Sequence, residues 1–399
     1  MRPGVTHVIL FLLAGIVTVH ACHSPDKPAG QTAGAAKKEL PGLGSIDALP
    51  LTYRSPADNP STPEKVELGR LLFYDPVLSG GKDVACATCH HPDFGYAESI
   101  DLSIGVNGKG LGEMRRFNEG NNIPFTKRNS QSLLNTAFNG IRSDGQYTPE
   151  EAPMFWDLRA KGLEEQAAMP IKTFEEMRGH GFSEERITEE VVKRVNGIAQ
   201  YRRLFKTAFP ESNAVTLTDI TKALGAFQRS LTAVNSRFDQ FMRGDRSALS
   251  AREQEGMRLF IKSGCARCHS GPMLSDFQSH VLGAPDNEKL PVSDSGIQRS
   301  YGFRTPTLRN LRFTRPYMHS GKLQTLNEVL LFYEDLHGKP LRNPHVECAQ
   351  LDPLAAAVRV EFNDVNTIVE FLNTLNDANY DKRMPASVPS GLPVGGNIR

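Results

Sequence analysis

Residues 84–97 read VACATCHHPDFGYA and hold two cysteines and two adjacent histidines within six positions. Cys86, Cys89 and His90 form the pattern Cys-x-x-Cys-His, which is typical of covalent haem attachment. The two thiols add across the vinyl groups of a porphyrin, and the next imidazole reaches the iron. His91 points roughly 100° away from His90 around a helical turn, so we expect it at the surface or supporting the site, not on the iron.

The same pattern recurs as CARCH at residues 265–269, in Cys265, Cys268 and His269. Each Cys-x-x-Cys pair alone would also suit a thioredoxin-like redox pair or half of a four-cysteine zinc site. Neither alternative explains a histidine directly after both pairs. The sequence therefore predicts two covalently attached haem c groups, with His90 and His269 as axial ligands of the two irons.

The surroundings of the two motifs repeat weakly, which predicts two similar structural units. A capping box at residues 61–64 and another at residues 250–253 each begin a short amphipathic helix that leads to a motif. Residues 363–375 have apolar side chains on one helical face and are expected to close the second unit. Because few strand-like runs occur, we predict a mainly α protein with two cytochrome c-like haem domains and long loops.

The overall charge gives no sign of a nucleic acid or membrane partner. The 399 residues contain 46 Lys and Arg against 45 Asp and Glu, so no charge imbalance favours binding to nucleic acid or to an anionic membrane.

The N-terminus resembles an export signal. Residues 1–21 have one early positive charge and an apolar run that is too short to span a bilayer comfortably. Cys22 then allows either lipidation, as in bacterial lipoproteins, or simple cleavage near Ala21. We expect a periplasmic protein with a flexible tether over residues 22–50, which the lipidation alternative anchors through Cys22. Cys348 is left without an assignment.

The expected domain limits follow from these features. An N-terminal haem domain is predicted over residues 51–245 and a C-terminal haem domain over residues 246–385. Residues 386–399 are expected to form a tail.

Three stretches resemble the bacterial dihaem cytochrome c peroxidase family, which includes MauG. They are LGRLLFYDPVLSG at 68–80, FWDLRAKGLEEQAAMPI at 155–171 and FRTPTLRNLRFTRPYMHSGKLQTLNEVLLFY at 303–333. The resemblance covers roughly residues 55–380. It implies an N-terminal haem that meets hydrogen peroxide, a C-terminal haem that relays electrons, and a calcium ion between them.

The resemblance also assigns roles to individual residues. Trp156 matches the tryptophan between the haems, although a lone tryptophan also suits core packing. Gln166, Pro170 and Glu176 match the distal side of the peroxidatic haem. Glu176 would be the acid-base group that moves a proton between the two peroxide oxygens. The alternative for Glu176 is a solvated surface carboxylate, and neighbouring Glu175 could be mistaken for it.

Asn129, Thr314 and Pro316 match the calcium ligands of the family. Oxygen donors, partly backbone carbonyls, suit this hard cation, but the same residues are common in ordinary turns. His319 matches a family histidine near the C-terminal haem, and we expect it to support that site without binding iron.

The first departure from the family pattern concerns the distal side of the first haem. Val106 stands where the well-known peroxidases have a loop histidine, and no histidine occurs between Pro92 and Gly179. Met114 is the remaining side chain that could reach the iron. We predict a five-coordinate or water-bound haem that needs no reductive activation.

The second departure concerns the C-terminal haem. Tyr333 lies fourteen residues after His319, where family peroxidases have methionine and MauG has tyrosine. Residues 325–328 form a capping box, and Tyr333 shares the apolar face of the helix that we expect Gly338 to end. It could be an iron ligand or a core aromatic residue. A phenolate ligand stabilises ferric iron and lowers the reduction potential.

These observations predict a periplasmic peroxidase that reduces hydrogen peroxide to water with electrons from a small cytochrome c or a similar donor. The first alternative is a MauG-like, peroxide-dependent oxidation of residues in a partner protein. The second is an electron carrier without catalytic activity. The sequence leaves the oligomeric state open.

Overall fold

The computed structural model describes residues 46–337 and 339–399, and the chain in these ranges is mostly helical, as predicted. The expected export signal, Cys22, most of the expected tether and Gly338 lie outside the described residues. The α-helices are α1 Pro63–Tyr74, α2 Cys86–Cys89, α3 Gly162–Lys172, α4 Glu184–Gly197, α5 Ala199–Ala208, α6 Leu217–Ser230, α7 Arg237–Met242, α8 Ala251–Lys262, α9 Leu326–Asp335, α10 Pro353–Ala356 and α11 Val365–Asn373.

Strands are short in the described chain and form three antiparallel pairs. The pairs are β1 Gly108–Lys109 with β2 Arg116–Phe117, β3 Pro153–Met154 with β4 Ala160–Lys161, and β5 Ser279–Val281 with β6 Gly302–Arg304. In the first pair Gly108 faces Phe117, in the second Pro153 faces Lys161, and in the third His280 faces Phe303. Long loops with 3₁₀ turns connect these elements.

The first hydrophobic core lies beside the CATCH motif and is built mainly from α1, α4, α5 and α6. Helix α1 is capped one residue later than the predicted box at 61–64: the Thr62 side chain, not that of Ser61, accepts a hydrogen bond from the Lys65 amide. Gly69 lets α1 approach α6 closely, because a Cβ atom there would lie 2.0 Å from the Ala223 carbonyl oxygen. Leu68, Leu72 and Phe73 are buried on this face.

The second core lies beside the CARCH motif and contains apolar side chains of α7, α8, α9 and α11. The predicted capping box is confirmed: Ser250 accepts from the Glu253 amide, and the Glu253 carboxylate accepts from the Ser250 amide. The predicted closing helix is α11. It packs tightly on α8, since a Cβ atom on Gly256 would lie 2.1 Å from the Thr367 carbonyl oxygen.

Both ends of the described chain cross to the opposite core. Ile46, at the end of the expected tether, is buried in the second core, and the Leu49 amide donates to Asp239 at 2.9 Å. Residues 386–399, expected to be a tail, pack on the first core: Val388 belongs to it, and the Thr88 hydroxyl donates to the Gly395 carbonyl at 2.8 Å. Each core therefore includes residues from distant parts of the sequence.

Within the described residues, no helix combines the length and the apolar character that crossing a bilayer requires.

Candidate active site

A single cavity of about 630 Å³ is lined by both Cys-x-x-Cys-His motifs. The four thiols and two imidazoles that the sequence singled out all line it: Cys86, Cys89, His90, Cys265, Cys268 and His269. The two motifs lie about 180 residues apart in the chain but border the same space. The fold therefore brings the two predicted attachment sites together.

The two imidazoles are held in the same way. His90 Nδ1 lies 3.0 Å from the Tyr96 carbonyl oxygen, and His269 Nδ1 lies 3.0 Å from the Leu274 carbonyl oxygen. A carbonyl only accepts, so each Nδ1 carries the hydrogen and each Nε2 keeps a lone pair. Burial lowers the pKa of both histidines and favours this neutral form. Such an arrangement is usual for histidines that bind a metal.

The thiols of both motifs are free. Burial raises the pKa of Cys86 and of Cys265 to about 12, so both are neutral thiols. Four free thiols beside two histidines with available Nε2 atoms are the donors that two haem c groups require.

A buried cation strengthens this fit. Arg304 lines the cavity and is nearly inaccessible to solvent, yet no carboxylate in the described chain pairs with it. Its guanidinium donates only to the Phe155 carbonyl at 2.8 Å and to Gln131 Oε1 at 3.2 Å. An unpaired buried charge is costly, and the propionate groups of a haem would neutralise it. The residues present therefore fit haem.

Glu176 lines the cavity from a π-helix, Phe174–Arg178, that follows α3. Pro170 has no N–H to continue the hydrogen bonding of α3, and the chain turns into the π-helix directly afterwards. Burial raises the pKa of Glu176 to about 7, while Arg159 lowers it and Glu175 raises it. Its carboxyl group makes no hydrogen bond within the described chain and can exchange protons near neutral pH.

The other predicted catalytic residues border the same space. Gln166 and Pro170, both on α3, line the cavity, and so does Trp156 in the loop between β3 and β4. The Trp156 indole N–H donates to the Asn129 carbonyl at 3.0 Å, and its own carbonyl accepts from the Arg304 amide at 2.8 Å. Trp156 is thus held at both its ring and its backbone.

Four histidines line the cavity among the described residues: His90, His269, His280 and His319. His319 stacks on Phe303, with ring centroids 3.6 Å apart, and its Nε2 has no hydrogen-bond partner in the described chain. Burial lowers its pKa to about 4, so it is neutral. Its ring lies edge-on to Trp156, with centroids 6.5 Å apart.

Val106 is buried in the first core and does not line the cavity. Met114 is 69% exposed and also lies away from the cavity, so it does not provide the distal ligand considered above. His180, the first histidine after the π-helix, is exposed and bonded to Asn122. Neither Val106 nor Met114 nor His180 therefore provides a ligand on the distal side of the first motif.

Comparison with known proteins agrees with this geometry. The model of the family described as "Di-haem cytochrome c peroxidase" matches residues 63–247. The methylamine utilization protein MauG of Methylorubrum extorquens is 34% identical over 312 residues, covering 76% of this chain and 78% of that protein. The chain belongs to the di-haem cytochrome c peroxidase family.

Other relatives of this chain are named either as cytochrome c peroxidases or as MauG-like proteins. The cytochrome c551 peroxidase of Nitrosomonas europaea is 33% identical and covers 84% of this chain and 86% of its own. A solved structure of a MauG-like protein associated with microbial copper homeostasis matches with a TM-score of 0.67 and 27% identity. That match covers 86% of this chain and 96% of the other. Membership in a di-haem family implies haem c at both motifs.

Tyr333 lies on α9 and borders the cavity beside the second motif. Burial raises its pKa, and the nearby Cys265 and Cys268 sulfurs raise it further. The ring packs against both the second core and the small cluster around Leu323 and Phe332. Its hydroxyl makes no hydrogen bond to a described residue, so both predicted roles, ligand and core aromatic, fit its position.

The three expected calcium ligands, Asn129, Thr314 and Pro316, all line the cavity. The Asn129 amide group donates to the carbonyls of Ile100 and Asp101, at 2.8 and 3.1 Å. Its Oδ1 accepts no hydrogen bond from the described residues and is available to a cation. The calcium assignment stays a prediction.

His91 is buried, with 3% of its surface exposed, and does not line the cavity. Its Nδ1 accepts from the Asp93 amide at 3.3 Å, which caps a short 3₁₀ turn. The surface alternative for His91 is wrong, because the loop that follows the CATCH motif folds over its ring.

The sequence analysis missed His280. Its Nε2 lies 2.9 Å from Asp276 and its Nδ1 2.8 Å from Asp352, so both ring nitrogens face carboxylates. These contacts, with that to Cys268, raise its pKa to about 11. Its spacing from the second motif matches no sequence pattern that predicts such a role. Only the fold places the positively charged His280 beside Cys268.

Proposed function

We propose that this protein is a periplasmic peroxidase that reduces hydrogen peroxide to water, with electrons from a small cytochrome c or a similar donor. The observation that carries the proposal is the placement of Glu176 in the cavity that His90 also lines. A neutral histidine with an available Nε2 and a half-buried carboxyl group with a pKa of about 7 are the protein groups that peroxide reduction needs.

In this proposal Cys86, Cys89 and His90 hold one haem, and Cys265, Cys268 and His269 hold the other. When bound, the first haem supplies the iron at which the O–O bond of peroxide is cleaved. Glu176 accepts a proton from one peroxide oxygen and returns it to the other, which leaves as water. Gln166 offers an amide group to orient the peroxide, and Pro170 shapes the turn that delivers Glu176.

The overall reaction consumes two electrons and two protons: H₂O₂ + 2e⁻ + 2H⁺ → 2H₂O. We propose that the electrons enter at the second motif and travel through Trp156 to the first motif. The position of Trp156 supports this, since it lines the shared cavity and is held by Asn129 and Arg304. Calcium at Asn129, Thr314 and Pro316 would keep this segment in place.

A MauG-like oxidation of residues in a partner protein is the second candidate. The position of Tyr333 beside Cys265 and Cys268 favours it, because a phenolate ligand would stabilise ferric iron and make the second haem a poor acceptor of electrons. A purely electron-carrying role is disfavoured, since a carrier has no need for a carboxyl group with a raised pKa in the cavity.

Steady-state kinetics test the proposal. The holoprotein should oxidise a reduced small cytochrome c when peroxide is added, and Glu176→Gln should lower kcat by roughly 10² to 10⁴-fold. Glu175→Gln is the matched control and should stay close to wild type. Loss of activity in Glu175→Gln alone would transfer the acid-base role to that residue. No cytochrome oxidation, together with a peroxide-dependent mass change in a co-purifying protein, would favour the second candidate.

A further inference from the structure

The π-helix that carries Glu176 rests on another segment, residues 103–107. The Val106 amide donates to the Glu176 carbonyl oxygen at 3.1 Å. Gly105 lies directly against the same turn, since a Cβ atom there would be 2.2 Å from the Glu175 carbonyl oxygen and 2.3 Å from that of Glu176. Any shift of residues 103–107 therefore shifts the backbone of Glu176.

Arg115 holds this segment through its backbone carbonyls. Its side chain is buried and donates to the carbonyl oxygens of Ile104 and Gly105, the latter at 2.7 Å. The same guanidinium donates to the carbonyls of Gly110 at 2.9 Å and Asn397 at 3.3 Å. One side chain thus joins the segment under Glu176 to the β1–β2 hairpin and to the C-terminal residues.

The partners of Arg115 are unusual for a buried arginine, because they are almost entirely backbone carbonyls. The nearest carboxylate, Glu98, is 3.9 Å away, and neither of its oxygens has a hydrogen-bond partner in the described chain. Burying a guanidinium beside carbonyls is costly unless each N–H is used. The Arg115 N–H groups instead bind carbonyls of three chain segments: residues 104–105, Gly110 and Asn397.

The C-terminal residues complete this support. The Asn397 amide donates to the Asp83 carbonyl at 2.8 Å, and the Gly110 amide donates to the Asn397 carbonyl at 2.9 Å. Asp83 lies three residues before Cys86 of the CATCH motif. Arg115 therefore ties the segment under Glu176 to the chain that leads into the motif.

We propose that Arg115 is a positioning residue for Glu176: it presses residues 103–107 against the π-helix and so holds the Glu176 carboxyl group in the cavity. The inference rests on the proposed function, because it assigns a role to Glu176. The β1–β2 hairpin and the C-terminal residues then also help to hold Glu176 in place, because Arg115 binds both.

The experiment compares Arg115→Gln and Arg115→Lys with Arg116→Gln, all in the full-length holoprotein. Arg116 is the matched control, since it is exposed and donates only to the Glu113 carbonyl and, weakly, to Met114. Arg115→Gln should lower kcat for peroxide roughly 10- to 100-fold, the effect of a misplaced catalytic group, with the KM for the electron donor unchanged. Arg115→Lys should recover part of this loss, and Arg116→Gln should match wild type.

Two further readouts separate positioning from general destabilisation. In Arg115→Gln the midpoint of the pH–rate profile should move below that of wild type, because a looser turn lets water reach Glu176. Amide hydrogen exchange at Val106 should accelerate, because its bond to the Glu176 carbonyl is weakened, while haem content stays the same. Wild-type kcat, pH midpoint and Val106 exchange in Arg115→Gln would overturn the proposal.

Gly105→Ala keeps the test decisive if Arg115→Gln does not fold. The added methyl group pushes residues 103–107 from the π-helix while Arg115 stays intact, so the same loss of kcat and the same pH shift are expected. Wild-type values in this variant would reject the positioning role. If wild type itself lacks peroxide turnover, or Glu176→Gln keeps full activity, the proposed function fails, and Val106 exchange still reports whether Arg115 supports the turn.

Discussion

The indole N–H of Trp156 donates a 3.0 Å hydrogen bond to the carbonyl oxygen of Asn129. This bond joins the residue proposed to relay electrons to a residue proposed to bind calcium. A cation at Asn129 would therefore also fix the indole. The link gives the calcium assignment a measurable consequence.

Removing calcium should slow turnover about tenfold, because loss of an outer-shell contact typically costs 10- to 100-fold in activity. The measurement is peroxide-dependent cytochrome oxidation before and after chelation, with metal content determined in parallel. Added calcium should restore the rate, and Asn129→Ala should remain slow with or without it. Full activity in protein shown to be free of calcium would contradict the assignment.

The reaction with peroxide should depend on pH through Glu176. Its pKa is raised from the ordinary 4.5 to about 7, mainly by burial. Below pH 7 the carboxyl group is protonated and cannot accept the peroxide proton, so the second-order rate should rise as pH increases through about 7. Stopped-flow absorbance at several pH values measures this rate. Glu176→Gln should remove the inflection, and an unchanged inflection in that variant would assign it to another group.

Tyr333→Met should raise the reduction potential of the haem on His269. A thioether favours ferrous iron, whereas a phenolate favours ferric iron. Spectroelectrochemical titration gives the potential, and the absorption spectrum of the oxidised protein reports the change of ligand. Tyr333→Phe is the control that removes the hydroxyl and keeps the ring in the core. An unchanged potential and spectrum in both variants would leave Tyr333 as a core aromatic residue.

The oxidised haem on His90 should be high-spin or water-bound. Residues 92–179 contain no histidine that could bind the distal side of this iron. Val106 is buried in the first core and Met114 is exposed, so neither reaches it. Electron paramagnetic resonance of the ferric protein measures the spin state, and peroxide should react without prior reduction. A bis-histidine signal for this haem would contradict the prediction.

Gly256→Ala should destabilise the second core by about 1–3 kcal/mol, the usual cost of overpacking. A Cβ atom there would lie 2.1 Å from the Thr367 carbonyl oxygen and force α8 away from α11. Thermal unfolding of the holoprotein measures the effect. Gly197→Ala, where a Cβ atom meets nothing within 4 Å, is the matched control and should be neutral or slightly stabilising.

Local chemistry made much of this protein predictable from its sequence. The Cys-x-x-Cys-His spacing indicates haem attachment without knowledge of the fold, because the cysteines and the histidine of each motif are neighbours in the chain. The helix after Ser250 was predictable for the same reason, since a capping side chain contacts an amide only three residues away, and the start of α1 was predictable to within one residue. The family motifs then pointed to Trp156 and Glu176, which line the cavity.

Contacts between distant residues were decided only by the tertiary structure. Arg115 reaches Asn397, His280 pairs with Asp352, and Arg304 donates to the Phe155 carbonyl, across 282, 72 and 149 positions of the chain. No local pattern encodes such contacts, because they depend on how the two cores pack and where the ends of the chain cross. The sequence by itself indicated which residues are expected to carry haem and which carboxyl group is expected to move the proton. Packing decided that His91 is buried, that Met114 is exposed, and that Arg115 supports the turn under Glu176.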